Sequence, residues 1–408
     1  MKIVLINHSD VRGGASVVTY RLMKALRGIG HDARMLVVHK ATDDPNVVKG
    51  GPAWLQKGAF IVEELDILAA CGGRKENIFK LSCGTAGLAL SKHPLIEEAD
   101  CVILNWVNQG MLALSEIGAI ASKKPTLWTM HDMWNLTALC HHAGDCQQYK
   151  EEKGCRECPM TRWGYLGRNT WRRKRTLYDG TAIQFVAVSS WLSKLCVESG
   201  LMRNQKVACI PNAFPVEEFY TEPRKSRAEM GLPEGKKIIA MGAARLDDPI
   251  KGLDYAIEAL NGLTAEDALA VFFGTIRDEN ALKNLKFPYL CLGSLDTEAV
   301  RELLAHASVV MSTSLYETLP GTLVEGMAAG CTPVSFDRGG QGDIMLPEAA
   351  DFLVKAYDTK AFTAALERAL RTPLPPEALR EAVERKFSSE AVARQYADLI
   401  NDTINNNK

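Results

Sequence analysis

The sequence has no excess of either charge. With 48 Lys and Arg against 49 Asp and Glu, its net charge is −1. A general nucleic-acid binder needs a basic footprint, and this chain offers none overall. Nor does it contain an apolar run near the ~18 residues that a spanning helix needs. The first residues, MKIVLINHSD, carry one lysine and a four-residue apolar run, too little for a signal peptide. The expectation is a cytoplasmic chain, where clustered cysteines favour metal or free thiols over disulfides. No Walker pattern is present, and Asp247-Asp248 is not an Asp-x-Asp motif at a strand end. Internal repeats and low-complexity segments are missing, apart from the polar end NDTINNNK.

What is present is a βα pattern that runs twice. The 408 residues exceed the ~250–300 at which single cores stop growing, so two domains are expected. KIVLIN reads as a buried parallel strand, HSDVRGG as a loop and ASVVTYRLMKALRGIG as an amphipathic helix, with the strand ARMLVVH next. Further short strands are CVILNW, PTLWTM, FVAVSS and KVACIPN. Prolines 211, 215 and 223 mark a linker. The pattern then restarts with KIIAMGAA, LAVFFG, YLCLG, SVVMSTS and TPVSFD, with helices between them. The expected organisation is α/β: a first domain at 1–212, a second at 213–386, and a terminal helix at 387–408. Two consecutive doubly wound domains suggest a ligand cleft between them.

Three motifs fall at strand ends, where open α/β sheets bind ligands. Gly13-Gly14 follows the first strand and would let the backbone approach an anion at a helix start; it is not G-x-G-x-x-G, and a plain tight turn fits it as well. Arg245 and Lys251 follow KIIAMG and precede a helix, a setting suited to a diphosphate, or simply to a solvated charged loop. Glu317 and Glu325 bracket the start of a helix at Pro320-Gly321. The amides of 319–323 would face outward there, with carboxylates to accept sugar hydroxyls. Capping alone also explains two glutamates at a helix start.

Together, Glu317-x(7)-Glu325, Arg245…Lys251-Gly252 and the double-glycine loop resemble the retaining glycosyltransferases of family four, which have the GT-B fold. YETLPGTLVEGMAAGCTPVSFDRGG follows that pattern almost continuously. The stretch HPLIEEADCVILNWVNQG…KPTLWTMHDMWNLTALCHHAGDC resembles a subgroup associated with bacterial capsule, exopolysaccharide and O-antigen assembly. The similarity extends over essentially the whole chain.

The resemblance implies two Rossmann-like domains facing across a cleft, 1–212 binding the acceptor and 213–386 the nucleotide sugar, with the C-terminal helix returning to the N-terminal domain. It implies transfer of a sugar from a UDP- or GDP-sugar to a saccharide or lipid-diphosphate-linked acceptor, with retention and without a catalytic metal. Arg245 and Lys251 would hold the diphosphate, Glu325 the ribose hydroxyls and Glu317 the donor sugar. Thr318, Leu319, Pro320, Gly321, Thr322 and Leu323 would line the sugar and phosphates. Gly13 and Gly14 would let the N-terminal loop reach the β-phosphate. His131, in Met-His-Asp at the end of PTLWTM, would sit at the reaction centre; a lone strand-end histidine also serves as a structural hydrogen-bonder. Thr137-Ala138 and Asn105 depart from the subgroup's pattern on the acceptor side. The competing readings are a sugar-nucleotide epimerase of the same architecture and a non-catalytic sugar-nucleotide binder.

Two features lie outside that site. Cys140, Cys146, Cys155 and Cys158 are spaced C-x(5)-C-x(8)-C-x(2)-C, within an insertion at about 138–160. The reading is a structural zinc clip, with His141 or His142 able to replace one ligand; free thiols, a disulfide and an iron–sulfur cluster are the alternatives. RNTWRRKRTLYDG at 168–180 concentrates cations around aromatics. It suits weak contact at 168–178 with the inner face of an anionic membrane, or a solvated helix face.

Overall fold

The computed structural model describes residues 1–220 and 222–406. The chain divides into two compact units, Met1–Ala213 together with the chain from Val392, and Phe214–Ala391. The first unit begins with β1 (Lys2–Ser9), α1 (Gly14–Gly28), β2 (Asp32–His39), β3 (Val47–Lys49) and α2 (Ala53–Ala70). It continues through α3 (Pro94–Glu98), β4 (Cys101–Leu104), α4 (Leu114–Ala121), β5 (Thr126–Met130), α5 (Tyr165–Asp179), β6 (Gln184–Ala187), α6 (Ser190–Glu198) and β7 (Val207–Cys209). Its strands pair in the order β3-β2-β1-β4-β5-β6-β7, all parallel. Strands covered on both faces need continuous apolar runs, and Ile3, Leu5, Ile6, Val102, Ile103 and Leu127 are all buried.

The second unit contains β8 (Lys237–Arg245), α7 (Leu253–Asn261), β9 (Ala268–Thr275), β10 (Tyr289–Cys291), α8 (Thr297–Ala305), β11 (Ala307–Ser312) and α9 (Gly321–Ala329). β12 (Thr332–Asp337), α10 (Gln341–Met345), β13 (Leu353–Lys355), α11 (Thr359–Arg371) and α12 (Pro376–Phe387) complete it. The parallel order is β10-β9-β8-β11-β12-β13. Both sheets are Rossmann-like, and the expected α/β class is observed.

α13 (Ser389–Asn406) carries the chain back to the first unit. Its Val392, Ala393, Tyr396 and Ile400 share a core with Leu22, Met23 and Leu26 of α1. Tyr396 Oη also lies 3.0 Å from Thr129 Oγ1 on β5. The return of the terminal helix, expected from the sequence, is therefore present as a packed element.

In each sheet the strand order reverses direction once. The reversal falls between β1 and β4 in the first unit and between β8 and β11 in the second. Loops leaving those strands at their carboxyl ends diverge and leave a crevice, which is where such sheets bind ligands.

α2 departs from the amphipathic rule. Its inner face is mixed: Ile67 and Ala70 are fully buried, but so nearly are Gln56, 6% exposed, and Glu63, 2% exposed. Glu63 accepts from the backbone N–H groups of Cys83 (2.6 Å), Gly84 (2.8 Å) and Gly110 (2.8 Å). Gly110, at φ 71°, lets α2 approach so closely that a Cβ would stand 2.3 Å from the Phe60 nitrogen.

Candidate active site

The two loops at the second unit's reversal carry the charged residues singled out in the sequence. After β8, Arg245 Nε bonds Asp247 Oδ1 at 3.2 Å. Asp247 Oδ2 in turn accepts from the N–H groups of Arg277 and Asp278, both at 3.0 Å. This fixes the exit from β8. Asp248 then caps the short turn 249–251 by accepting from Ile250 N.

The turn is tied to the neighbouring loop. Leu315 N donates to Ile250 O at 2.7 Å, and Thr313 Oγ1 donates to Gly252 O at 2.9 Å. Gly252 is at φ 65°, and a Cβ there would stand 2.2 Å from Thr313 O. A left-handed backbone at so close an approach admits only glycine. The consequence is that Lys251 Nζ meets the Glu317 carboxylate in a direct ion pair, with both side chains about four-fifths buried. Glu317 is held from behind as well: Gly340 N donates to its carbonyl at 2.9 Å.

Pro320 is the N-cap of α9, and Gly321 starts the helix. The first N–H groups of a helix have no partner within it. Here they follow directly after Thr318 and Leu319, beside the Lys251–Glu317 pair in sequence. Glu325 sits on the half-buried side of α9, while Leu323, Val324 and Met327 are buried. The second unit thus brings Lys251 and Glu317 into contact and puts Arg245 and the start of α9 on the two loops flanking one reversal.

In the first unit, Gly13 is the N-cap of α1 at φ 89°, and neither Gly13 nor Gly14 has an atom within 4 Å of a would-be Cβ. The loop is open there, as an anion-approach role requires. His131 stands one residue beyond β5, and its Nε2 donates to Asn105 Oδ1 at 3.1 Å. Burial pushes its pKa down to about 4, so His131 is a neutral imidazole at neutral pH.

The structure adds residues that the sequence did not single out. His8 at the end of β1 lies 5.0 Å from the His39 ring and 5.7 Å from that of Trp106, centroid to centroid. Burial, then the neighbouring His39, push His8 down to about 4. Trp106 Nε1 donates to Asp132 Oδ2 at 3.0 Å. These groups come from the ends of β1, β2, β4 and β5, and only the strand order brings them together. The signal in the sequence was an aromatic or imidazole residue at each of these strand ends.

The expected zinc clip is not formed. Among the described residues, no three His, Cys, Asp or Glu side chains are grouped so as to hold a metal ion. Cys140, Cys146, Cys155 and Cys158 are all free. Burial pushes the thiols of Cys140 and Cys155 up to about 12 and 11, and neighbouring cysteines of the set add to both shifts. Nor can His141 substitute as a ligand. Its Nδ1 lies 2.7 Å from Asp132 Oδ2 and its Nε2 3.1 Å from Ser82 Oγ, so both ring nitrogens are engaged. Burial alone would raise the Asp132 carboxyl, but His141 holds it well below the usual range.

The insertion is fastened by α5 instead. Lys174, fully buried, donates to Trp134 O (2.5 Å) and Thr137 O (3.1 Å). Arg173 donates to Gly84 O (2.7 Å), and Arg175 to Gly200 O (2.8 Å). Lys174, Arg173 and Arg175 thus serve internal carbonyls, while Arg168 and Arg172 of the same stretch are exposed. Burial pushes Lys174 down to about 7.

The fold is the GT-B type. It matches the solved sucrose-phosphate synthase of Thermosynechococcus elongatus with a TM-score of 0.67 at 18% identity, over 98% of each chain. Anabaena HepE in complex with UDP-glucose matches with a TM-score of 0.65 at 16% identity, over 98% of this chain and 100% of that one. Residues 223–386, within the second unit, match the family described as Glycosyl transferases group 1. Among curated proteins, the glycogen synthase of Thermotoga maritima is 26% identical over 197 residues, 44% of this chain and 40% of that one. The match thus spans less than half the length of that relative.

Proposed function

We propose that the protein is a retaining glycosyltransferase that moves a sugar from a nucleoside-diphosphate sugar to a hydroxyl acceptor. The observation that carries this reading is the Lys251–Glu317 pair at the sheet reversal, beside Arg245 and the start of α9. A cation paired with a carboxylate, next to helix N–H groups, suits a ligand with a diphosphate joined to a polyol. The structural match to a protein solved with UDP-glucose supports a donor of that kind.

In this reading, Lys251 and Arg245 bind the diphosphate and stabilise the charge that grows on it as the bond to the anomeric carbon breaks. Glu317 and Glu325 accept bonds from sugar and ribose hydroxyls. The amides around Thr318, Leu319, Pro320, Gly321, Thr322 and Leu323 line the donor. The acceptor oxygen forms the new bond on the face the phosphate leaves, and its proton passes to the departing phosphate oxygen. Double displacement needs a free carboxylate at the anomeric carbon, and Glu317 already serves as the counter-ion of Lys251. From the first unit, Gly13 and Gly14 remain the candidates for approach to the phosphate and His131 the candidate for the reaction. Neutral His8, His131 and Trp106 suit an uncharged saccharide acceptor. A role in bacterial surface polysaccharide assembly, in the cytoplasm, is the pathway this reading favours.

The test is release of nucleoside diphosphate from a panel of UDP- and GDP-sugars, with and without saccharide and lipid-diphosphate acceptors. Acceptor-dependent release that Glu325→Ala abolishes is expected. Donor isomerisation without acceptor would establish the epimerase instead, and binding without turnover would establish a non-catalytic protein.

A further inference from the structure

We propose that His8 binds the acceptor, donating its Nδ1–H to a hydroxyl oxygen of an uncharged saccharide, and that Gln56 on α2 is the positioning residue that fixes the imidazole tautomer for this. The inference deepens the proposed function and rests on it for the class of ligand.

The place of the proton follows from the bonds around Gln56. Its Nε2 lies 2.7 Å from Gln109 O and 3.2 Å from His8 Nε2. A backbone carbonyl only accepts, so the atom facing it is the amide nitrogen and not the amide oxygen. The second N–H of the same group then points at His8 Nε2, which receives it through its lone pair. A neutral imidazole that accepts at Nε2 carries its proton on Nδ1. Burial, then the neighbouring His39, push His8 down to about 4, which keeps the ring singly protonated at neutral pH.

The surroundings hold this arrangement in place. Gln56 is nearly fully buried on the inner face of α2. Gln109 presents its carbonyl from a left-handed backbone at φ 54°, a conformation uncommon for a residue other than glycine. Glu63, also on α2, accepts from Gly110 N next to it at 2.8 Å. Backbone of this kind persists where its surroundings impose it, and it clusters at ligand sites. Among the described residues nothing accepts from His8 Nδ1. The atom is not buried either, so its N–H is open to a ligand at the carboxyl end of β1. Trp106, half-buried, stands edge-on 5.7 Å from the His8 ring and offers an aromatic surface to the C–H groups of a sugar whose hydroxyl meets His8. The same bonds exclude His8 as a general base. Nε2 is engaged by Gln56 and Nδ1 already holds a proton, so the acceptor's proton must leave by another route, as it does in transfer to the departing phosphate oxygen.

The test labels the histidine rings of the full chain with nitrogen-15. Long-range proton–nitrogen spectra near neutral pH then report which nitrogen of each ring is protonated, and loss of signals in His8→Asn identifies those of His8. His8 protonated on Nδ1 alone is expected, with Gln56→Met giving a mixture of both tautomers. Titration with a panel of methyl hexopyranosides should shift the His8 Nδ1 signal saturably. In turnover, His8→Leu should raise the acceptor KM about tenfold, the loss of one neutral hydrogen bond. His8→Asn, whose amide N–H stands where Nδ1–H did, should keep KM close to the parent's. His8 protonated on Nε2 or on both nitrogens, a tautomer unchanged in Gln56→Met, or a Nδ1 signal that no methyl hexopyranoside moves overturns the proposal. So does a parent-like acceptor KM in His8→Leu. Absence of turnover with every donor would end the glycosyltransferase reading instead, and the tautomer and the titration would still decide this one.

Discussion

Replacing Lys251 by Met separates what the cation does for stability from what it does for the reaction. In the resting protein, Lys251 is the counter-ion of Glu317, with side chains 21% and 20% exposed. Removing it leaves a mostly buried carboxylate without its charged donor. Hydrogen bonds to charged groups are worth about 1.5–3 kcal/mol, so the second unit should lose about that much. For a unit of this size, each kcal/mol corresponds to roughly 2–4 °C in Tm, a drop easily seen by differential scanning fluorimetry. The catalytic loss should be larger. A preorganised donor aimed at developing charge is worth ~10²–10³ in kcat, about 2.7–4 kcal/mol. The Lys251→Met/Glu317→Gln double variant decides between the two effects. Neutralising both partners removes the orphaned carboxylate, so stability should recover most of the way toward the parent. Activity should not recover, because the diphosphate still lacks its cation. The assay is donor turnover at saturating acceptor, with kcat and KM determined separately. Retention of kcat/KM within threefold in Lys251→Met, or restored turnover in the double variant, would refute the role given to Lys251.

Two further outcomes are expected. Glu63→Ala leaves the N–H groups of Cys83, Gly84 and Gly110 without their shared acceptor, and should destabilise the first unit by about 3–5 kcal/mol; a thermal-unfolding change below about 1 kcal/mol contradicts the anchoring of α2. His8 and His131 each fall from 6.5 to about 4 in the folded chain. The unfolded chain therefore takes up protons first as pH falls, and stability is intact above about 6.5, declines toward about 4 and is not lost further below it through these two groups. At 1.36 kcal/mol per pKa unit, each contributes about 3 kcal/mol over that window. Urea unfolding at stepped pH checks this; His31, His39 and His93 are also lowered, so His8→Gln should make the slope shallower without abolishing it.

The strands were legible because a strand buried on both faces must be a short apolar run, and the ends of those runs located Gly13, Arg245, Lys251 and Glu317 at once. What stayed hidden depends on partners far away in sequence. α2 gives no clean apolar stripe pointing inward, because its inner positions mix Gln56 and Glu63 with Ile67 and Ala70, and the polar pair's acceptors and donors lie on loops at 83–84 and 109–110. The basic residues of α5 look solvated in one dimension; their partners are backbone carbonyls, which leave no trace in residue identity. The cysteine spacing suggested ligands; the bonds that fasten the neighbouring loops come instead from Lys174, Arg173, Arg175 and the Asp132–His141 pair, whose backbone and distant partners the spacing does not reveal.

The two sheets reach the same topological solution with opposite chemistry at the reversal. In the second unit, the loops after β8 and β11 offer Arg245, Lys251, Glu317 and the start of a helix: fixed charge and N–H groups, of use to an ionic ligand. In the first unit, the strand ends offer His8, His39, Trp106 and His131, with His8 and His131 kept neutral by burial. A diphosphate gains little from uncharged rings, and an uncharged saccharide gains little from a lysine already paired with a carboxylate. Apolar ring faces with neutral hydrogen-bonding edges instead suit the alternating C–H and O–H groups of a sugar. Under the proposed function, this division of charge is consistent with an ionic donor at the second unit and a neutral acceptor at the first. It also makes an asymmetric prediction about point changes. Neutralising substitutions at Lys251 or Arg245 should act on donor affinity and turnover whatever the acceptor. Replacing Trp106 with Leu should raise the KM for the acceptor and leave donor affinity, measured by nucleotide titration of the acceptor-free protein, within a factor of two. A loss of nucleotide affinity in Trp106→Leu as large as that in Lys251→Met would show that the two reversals do not divide the substrates.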